Sequence, residues 1–295
     1  MPGFVDLHIH SRFSSDGDFA PAELIAMARG AGFAAISISD HDTTAAYPEA
    51  IEAAAGTGVE IVPGMEVTTL FGDREFHLLL PYLDWTSPVI ARISARVSEG
   101  RQIEARERVA KLAALGLDLT WEEVEAASPG TPPLGVAIAQ ILLEKPSSKG
   151  VPALRKYFEG EARTWAAYHF YRDYFMEGRP ASVAKRHMPL LEVLDQAPGS
   201  GAVPVLAHPG AYFENATRED LAALKDRGLA GLEVYTSYHT PELTAFYRGL
   251  AAELDLVPTA GSDFHGRIKP HVRFGDIRDG GLEILERLTA RRRPA

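Results

Sequence analysis

The chain has 295 residues, 46% hydrophobic and 24% charged, with a net charge of −10 and no cysteine. That size suits one α/β barrel with a well-buried core, and it excludes wholesale disorder, disulfide scaffolds, thiolate catalysis and Cys-based zinc sites. An acidic chain lacks the basic stripe that binds long duplex nucleic acid, although bound cations can reverse the sign locally for a compact anion.

The opening MPGFVDLHIHS has no basic region followed by a long apolar run, and no later stretch is apolar enough to span a bilayer, so a cytoplasmic protein without a membrane partner is expected. Phe4 to Ile9 reads as a strand and Pro21 to Ala31 as a helix, with Pro at its start and Gly32 past its end. Ala34 to Ser39 is the next strand, Tyr47 to Ala55 the next helix, and Val59 to Val62 and Phe76 to Leu83 supply two further strands. The last third resumes the alternation. Val203 to Ala207, Gly231 to Tyr235 and Leu256 to Ala260 read as strands, separated by helices over Arg218 to Arg227 and Pro241 to Glu253. Alternation of this kind implies parallel pairing, and about seven strands predict a distorted (β/α)7 TIM-like barrel.

The middle reads differently. Ile90, Ile93 and Val97, then Val109, Leu112 and Leu115, fall at helical spacing, and Thr120 with Glu123 forms a capping-box pattern. Val136 to Leu143, Ala153 to Phe158, the aromatic stretch from Trp165 to Phe175, and Leu190 to Gln196 continue it, with no strand between them. Residues 87–199 are therefore expected to form an all-helical insertion in a barrel built from 1–86 and 200–295.

The placement of the ten histidines is the main chemical signal. His8 and His10 close the first strand, and His41 follows the second between Asp40 and Asp42. Glu66 follows the third, His77 lies in the fourth, His208 ends the fifth, and Asp263 with His265 follows the last. In a parallel barrel those ends converge on one face, and residues two apart in a strand point the same way. A lone buried histidine is ordinarily a satisfied core residue. Repetition across strands is different, because polar groups at the mouths of apolar strands are costly to bury without partners or metal. Imidazole and carboxylate donors suit Mn, Zn or Fe better than Mg.

The segments DLHIHSRFSSDG (Asp6 to Gly17), ISDHDT (Ile38 to Thr43), PGMEVT (Pro63 to Thr68), LAHPG (Leu206 to Gly210) and GSDFHG (Gly261 to Gly266) resemble, in order, the motifs of PHP (polymerase and histidinol phosphatase) phosphoesterases. The resemblance implies two or three divalent cations. His8, His10 and Asp263 would hold the first, with Glu66 bridging to a second completed by His77 and His208. Asp16, His41 and His265 would hold the third, where some relatives have His in place of Asp16. It also implies a nucleotide phosphatase of the insertion-bearing kind. Many nucleotide-processing relatives place an Arg and a His at the start of an insertion helix, where this chain reads PLGVAIAQIL (Pro133 to Leu142).

Two close cations can clamp attacking and leaving oxygens and supply hydroxide, so no protein nucleophile is required. Asp40 and Asp42 are read as carboxylates orienting His41, with Asp40 included in the catalytic set. His239 is the candidate for leaving-group acid or for phosphate contact, and Arg12, Arg267 and Lys269 are candidate phosphate donors. The aromatic stretch is read as packing between insertion helices. The expected activity is phosphomonoester hydrolysis on a small phosphorylated substrate such as a nucleoside 3′,5′-bisphosphate. The alternatives are a histidinol-phosphate type of phosphatase, a 5′–3′ exonuclease on short oligonucleotides, and a catalytically silent metal-binding domain.

Overall fold

The first elements lie where proline, glycine and apolar periodicity put them. The structure is a computed structural model describing residues 3–128, 131–211 and 215–292. Strand β1 (Phe4–Ile9) leads to helix α1 (Pro21–Ala31), which Gly32 closes in the left-handed region at φ +79°. At its start the Glu23 carboxylate turns back to accept the Ala20 N–H at 2.7 Å. Strand β2 (Phe33–Ile38), helix α2 (Tyr47–Ala54) and strand β3 (Glu60–Ile61) follow, and β1, β2 and β3 pair in parallel.

The next unit departs from the expected alternation. Strand β4 (Glu66–Phe71) returns directly as β5 (Arg74–Leu79) in an antiparallel hairpin, with Gly72 at φ +63° in the turn. Glu66 therefore begins a strand and does not simply trail one, and His77 belongs to the returning arm. Helix α3 (Pro88–Ala114) has 27 residues and runs about 40 Å at the usual helical rise. After α4 (Trp121–Ala127) and α5 (Gly135–Glu144) come three 3-10 segments between Pro146 and Trp165, then α6 (Ala166–Tyr174). A two-residue strand, β6 (Met188–Pro189), pairs with β4 and interrupts the stretch read as wholly helical. Pro189 is tolerated there because β6 is the edge of its sheet.

Helix α7 (Leu190–Gln196), β7 (Val205–Leu206), α8 (Arg218–Asp226), β8 (Gly231–Thr236), α9 (Pro241–Glu253), β9 (Val257–Gly261) and α10 (Leu282–Thr289) complete the chain. The ladders form two sheets, β1-β2-β3 and β6-β4-β5-β7-β8-β9, and do not join into one closed ring. Nine strands among the described residues replace the expected seven, and β5 is antiparallel to both neighbours. Backbone bonds nevertheless bridge the sheets at two places. His10 N–H reaches Phe264 O at 2.9 Å and Asp263 N–H reaches His8 O at 2.7 Å; on the other side Asp42 N–H reaches Glu66 O at 2.8 Å. Both bridges lie at site residues.

The apolar core divides in a way that α3 makes plain. Its first half sends Ile90, Ile93 and Val97 into the cluster beneath β4 and β8, together with Val193 of α7. Its second half sends Ala105, Val109 and Leu112 into a separate cluster with Ile138, Leu142 and Phe170. Between the two, Arg101, Glu104 and Arg108 are buried.

Candidate metal centre

Glu66 is the hub of the site. It is fully buried at the start of β4, with Oε2 3.2 Å from His8 Nε2, 3.2 Å from His10 Nε2 and 3.0 Å from His41 Nδ1. Its other oxygen lies 2.7 Å from His77 Nδ1 and 3.2 Å from His208 Nε2. Asp263 Oδ1 adds a second carboxylate 3.3 Å from His8 Nε2 and 3.1 Å from His10 Nε2. Asp16 sits 3.2 Å from His265 Nε2 and 3.7 Å from His41 Nε2, while its Oδ1 accepts the Ser14 hydroxyl at 2.7 Å.

Ligand atoms fall within 4.8 Å of one another in three overlapping groups: His8, His10, Glu66 and Asp263; His10, Asp16, His41 and His265; and His41, Glu66 and His77. Eight of the nine expected metal residues fall in these groups, and the ninth, His208, lies against Glu66 at 3.2 Å. One grouping differs, since His41 joins Glu66 and His77 where His208 was expected, although the His208 and His77 rings are 5.1 Å apart. Sharing of His10, His41 and Glu66 makes the groups one continuous cluster.

The hydrogen bonding of the donor set fits a metal. His8 Nε2, His10 Nδ1 and Nε2, His41 Nδ1, Glu66 Oε2, Asp263 Oδ1 and His265 Nε2 are buried without a hydrogen-bond partner. Buried polar atoms are ordinarily satisfied, so this convergence fits cations. Three residues here also hold positive φ without being glycine, Asp42 at 59°, His208 at 25° and Asp263 at 57°, a strain that clusters at functional sites.

Charge follows the same logic. Burial opposes ionisation of Glu66, but the facing His41, His8 and His77 hold its carboxyl well below the usual range. Burial would lower His10, yet Asp263 and Glu66 raise it to about 9; His77 is likewise raised to about 9 against burial by Glu66 and Glu75. His265 goes the other way, to about 4, through burial and the nearby charges of His10 and Lys269.

Residues behind the cluster set the ring orientations. Glu233 on β8 is buried, faces His8 Nδ1 at 3.0 Å and accepts the His208 N–H at 2.8 Å. Asp6 accepts the N–H groups of His8 and Ser262, and burial raises its carboxyl to about 6. Tyr238 Oη and Lys269 Nζ both donate to Asp263 Oδ2 at 2.5 Å. The sequence reading missed Glu233, Asp6 and Tyr238. The available signal for Glu233 was a carboxylate alone in the apolar strand GLEVYT.

The remaining candidates separate. Asp40 is buried beneath the cluster with both oxygens taken by Ser11, through its N–H and its hydroxyl at 2.6 Å each, and burial raises its carboxyl to about 6. Asp42 pairs with Arg101, which also donates to Thr68. His239 has both ring nitrogens engaged by the fold: its Nε2 accepts the Gly210 N–H at 3.1 Å and its Nδ1 donates to Val234 O at 2.9 Å. Arg12 pairs with Glu49, and Arg267 pairs with Asp18; both guanidinium groups are largely exposed. Only Lys269 of the three expected phosphate donors touches the cluster. Phe170 and Tyr174 stack at 4.2 Å inside the insertion core, whereas Trp165 lies 4.1 Å from the His271 ring. A cavity of about 220 Å³ opens beside His41, lined by Ser15, Thr43, Ser98, Thr131 and Arg101.

Buried imidazole and carboxylate donors converging at strand ends define a metal-dependent hydrolase. The PHP domain profile matches residues 6–175, more than half of this 295-residue sequence, and the chain belongs to the PHP domain family. It is 28% identical over 263 residues, 88% of this chain and 87% of the relative, to the 3′,5′-nucleoside bisphosphate phosphatase of Chromobacterium violaceum. It is also 28% identical over 264 residues (88% and 84%) to the 5′-3′ exoribonuclease Rnm of Salmonella typhimurium. A third relative, at 28% over 276 residues (91% and 97%), is the phosphoribosyl 1,2-cyclic phosphate 1,2-diphosphodiesterase of Eggerthella lenta. A crystal structure from Bifidobacterium adolescentis, described as a metal-dependent phosphoesterase, superposes with a TM-score of 0.84 at 27% identity, covering 100% of this chain and 99% of that one. The chain is therefore an enzyme of the metal-dependent phosphoesterase class. Among the described residues no helix is long and apolar enough to cross a membrane.

Proposed function

We propose that the protein hydrolyses a phosphomonoester on a nucleotide, with a nucleoside 3′,5′-bisphosphate as the leading substrate. The observation that carries the chemistry is the set of buried donor atoms without partners, aimed at one another around Glu66. The nucleotide choice is supported by three relatives matched over most of their length and named for esters of ribose phosphates.

Two or three divalent cations, Mn, Zn or Fe, suit these donors. His8, His10, Asp263 and Glu66 would hold one; Asp16, His41 and His265 another; Glu66, His77 and His208 a further one. When bound, close cations supply hydroxide near neutral pH and offset charge on the phosphoryl group. The chain's own residues prepare the site. Glu233 takes the Nδ1 proton of His8, which leaves Nε2 as the lone-pair atom facing Glu66. Tyr238 and Lys269 occupy Asp263 Oδ2 and leave Oδ1 toward the cluster, which places the Lys269 ammonium beside it. The hydroxyl-lined cavity beside His41, with Arg101 in its wall, suits the sugar and remaining phosphate of a small nucleotide. We read the scaffold as a distorted (β/α)7-like barrel, with the two bridges at His10 and Asp42 joining the sheets. Residues 87–199 form the helical unit, except that the β6–α7 segment serves the barrel. A nucleotide substrate also fits a cytoplasmic location.

Product analysis on Mn-loaded protein, with inorganic phosphate, released mononucleotides and ring-opened monoester read separately, tests the reading. The panel holds a nucleoside 3′,5′-bisphosphate, nucleoside monophosphates, histidinol phosphate, a ribose 1,2-cyclic phosphate and a short 5′-phosphorylated oligonucleotide, with His10→Ala as control. Preferred release from the bisphosphate, abolished in the control, is expected. Release of mononucleotides from the oligonucleotide in preference would move the assignment to a 5′–3′ exonuclease, and no product from any member with metal content verified would overturn it.

A further inference from the structure

A ladder of alternating acid and imidazole leaves the cluster through His77 and is not used by the chemistry above. Strand β5 sets Glu75 and His77 two residues apart, on one face. His77 turns Nδ1 to Glu66 at 2.7 Å and Nε2 to Glu75 Oε1 at 3.5 Å. The other Glu75 oxygen lies 3.3 Å from His187 Nε2 and 3.3 Å from Lys185 Nζ. His187 Nδ1 faces Glu104 Oε1 at 3.7 Å, and Arg108 holds the second Glu104 oxygen at 3.3 Å.

The far end of the ladder is fixed by backbone. Glu104 also accepts the Arg186 N–H, and Gly100 lets the same segment approach so closely that a Cβ there would meet Arg186 O at 2.5 Å. Glu104 is buried, and the His187 side chain is only 5% exposed. A surface ion pair would not be built this way. The segment returning from the helical insertion is anchored on α3, and it carries Lys185 and His187 to the carboxylate that faces the outer nitrogen of His77.

An imidazole that gives one nitrogen to a metal carries its proton on the other. A carboxylate accepting that proton fixes the tautomer and ring plane and strengthens the donor. We propose that Glu75 is a positioning residue for His77, and that His187 and Lys185 hold Glu75 in place for it. The proposal rests on the reading of His77 as a metal ligand.

Mn(II) affinity and stoichiometry, measured on the full chain by competition with a fluorescent chelator, test both layers separately. His77→Ala is expected to lose one equivalent, and its failure to do so would overturn the ligand reading itself. Glu75→Ala is expected to weaken the same equivalent by about 10- to 100-fold, the usual cost of removing such a partner. Glu75→Gln should lose less, because the amide oxygen still accepts the Nε2 proton, and His187→Gln least. The positioning role is overturned if His77→Ala loses the equivalent while both Glu75 variants stay within about twofold of wild type. It is equally overturned if Glu75→Ala lowers only the melting point of the apo protein and leaves the affinity of the folded fraction unchanged. Should Glu75→Ala not fold, Glu75→Gln and His187→Gln decide by the same twofold limit.

Discussion

The mouth of the sheets and the helical insertion both bury charged groups, but they satisfy them differently. In the insertion, Arg108 pairs with Glu104 and Arg101 reaches down to Asp42. Its unpartnered atoms are fewer, with Trp121 Nε1 and His169 Nδ1 apart from Arg108 Nε and His187 Nδ1, which flank Glu104. At the mouth seven such atoms, on His8, His10, His41, Glu66, Asp263 and His265, converge. Burial of polar atoms is costly wherever it occurs, so convergence without partners marks where an absent ligand belongs, and satisfied burial marks architecture.

The largest expected effect breaks the mouth at its hub. Glu66→Gln removes the negative charge and replaces with an amide nitrogen one of the two oxygens that face His8, His10, His41, His77 and His208. Loss of several kcal/mol of charge stabilisation predicts a fall in kcat/KM on the order of 10³-fold, read against metal content of the same sample. Retention of activity with full metal loading would show that the convergence has another purpose.

A second prediction concerns protons at the same place. In the apo protein His10 and His77 are raised to about 9 from the ordinary 6.5. That stabilisation is fully present below about 6.5 and is lost as pH rises through about 9. The apo protein is thus expected to lose stability across this window, while metal binding, which displaces those protons, tightens. Titration calorimetry in two buffers of different ionisation enthalpy should report proton release on Mn binding at neutral pH. No release would sink the idea that His10 and His77 are protonated when metal arrives.

How much of this was visible in the chain depends on whether a signal was local. His8 with His10, and Asp263 with His265, are two apart at strand ends, so spacing alone aims them together. Glu233 is equally local but was absorbed into a strand, because its partners, His8 and the His208 N–H, lie far away in the chain. The β4–β5 hairpin carried a Gly72–Asp73 turn signal, yet EVTTLF opens with a site carboxylate and has two threonines, which dilutes the apolar run. Two residues at Met188–Pro189 cannot display a period at all. His239 looked available because its two partners, Gly210 N–H and Val234 O, are supplied by the fold.

The insertion supplies the converse test. Phe170 is fully buried against Tyr157, Tyr174 and Phe175. Phe170→Ala should cost about 3–5 kcal/mol in unfolding free energy where a two-state transition can be measured. Its kcat per folded molecule should remain near wild type. A large loss of kcat at unchanged KM in folded protein would show that the insertion core, like the mouth, takes part in the reaction.

The smallest effect is expected at Arg267, and it separates a loop clamp from a phosphate clamp. Its guanidinium contacts Asp18 at 2.9 and 3.2 Å, its backbone N–H reaches the same carboxylate, and its side chain is 80% exposed. Exposed pairs of this kind contribute only about 0–1 kcal/mol, because water and salt screen them and two long side chains must be held still. Arg267→Ala should leave kcat and KM within about twofold and barely move the melting point. Asp18 lies beside Asp16 in the chain, so Asp18→Ala gives the informative comparison. If Arg267 only ties the 15–18 loop to the 266–269 loop, Asp18→Ala should have the larger effect of the two, because the Arg267 backbone N–H then loses its acceptor as well. If instead Arg267→Ala raises KM about tenfold while Asp18→Ala does not, the guanidinium leaves Asp18 for the substrate, and the neutralised surface pair becomes part of the mouth.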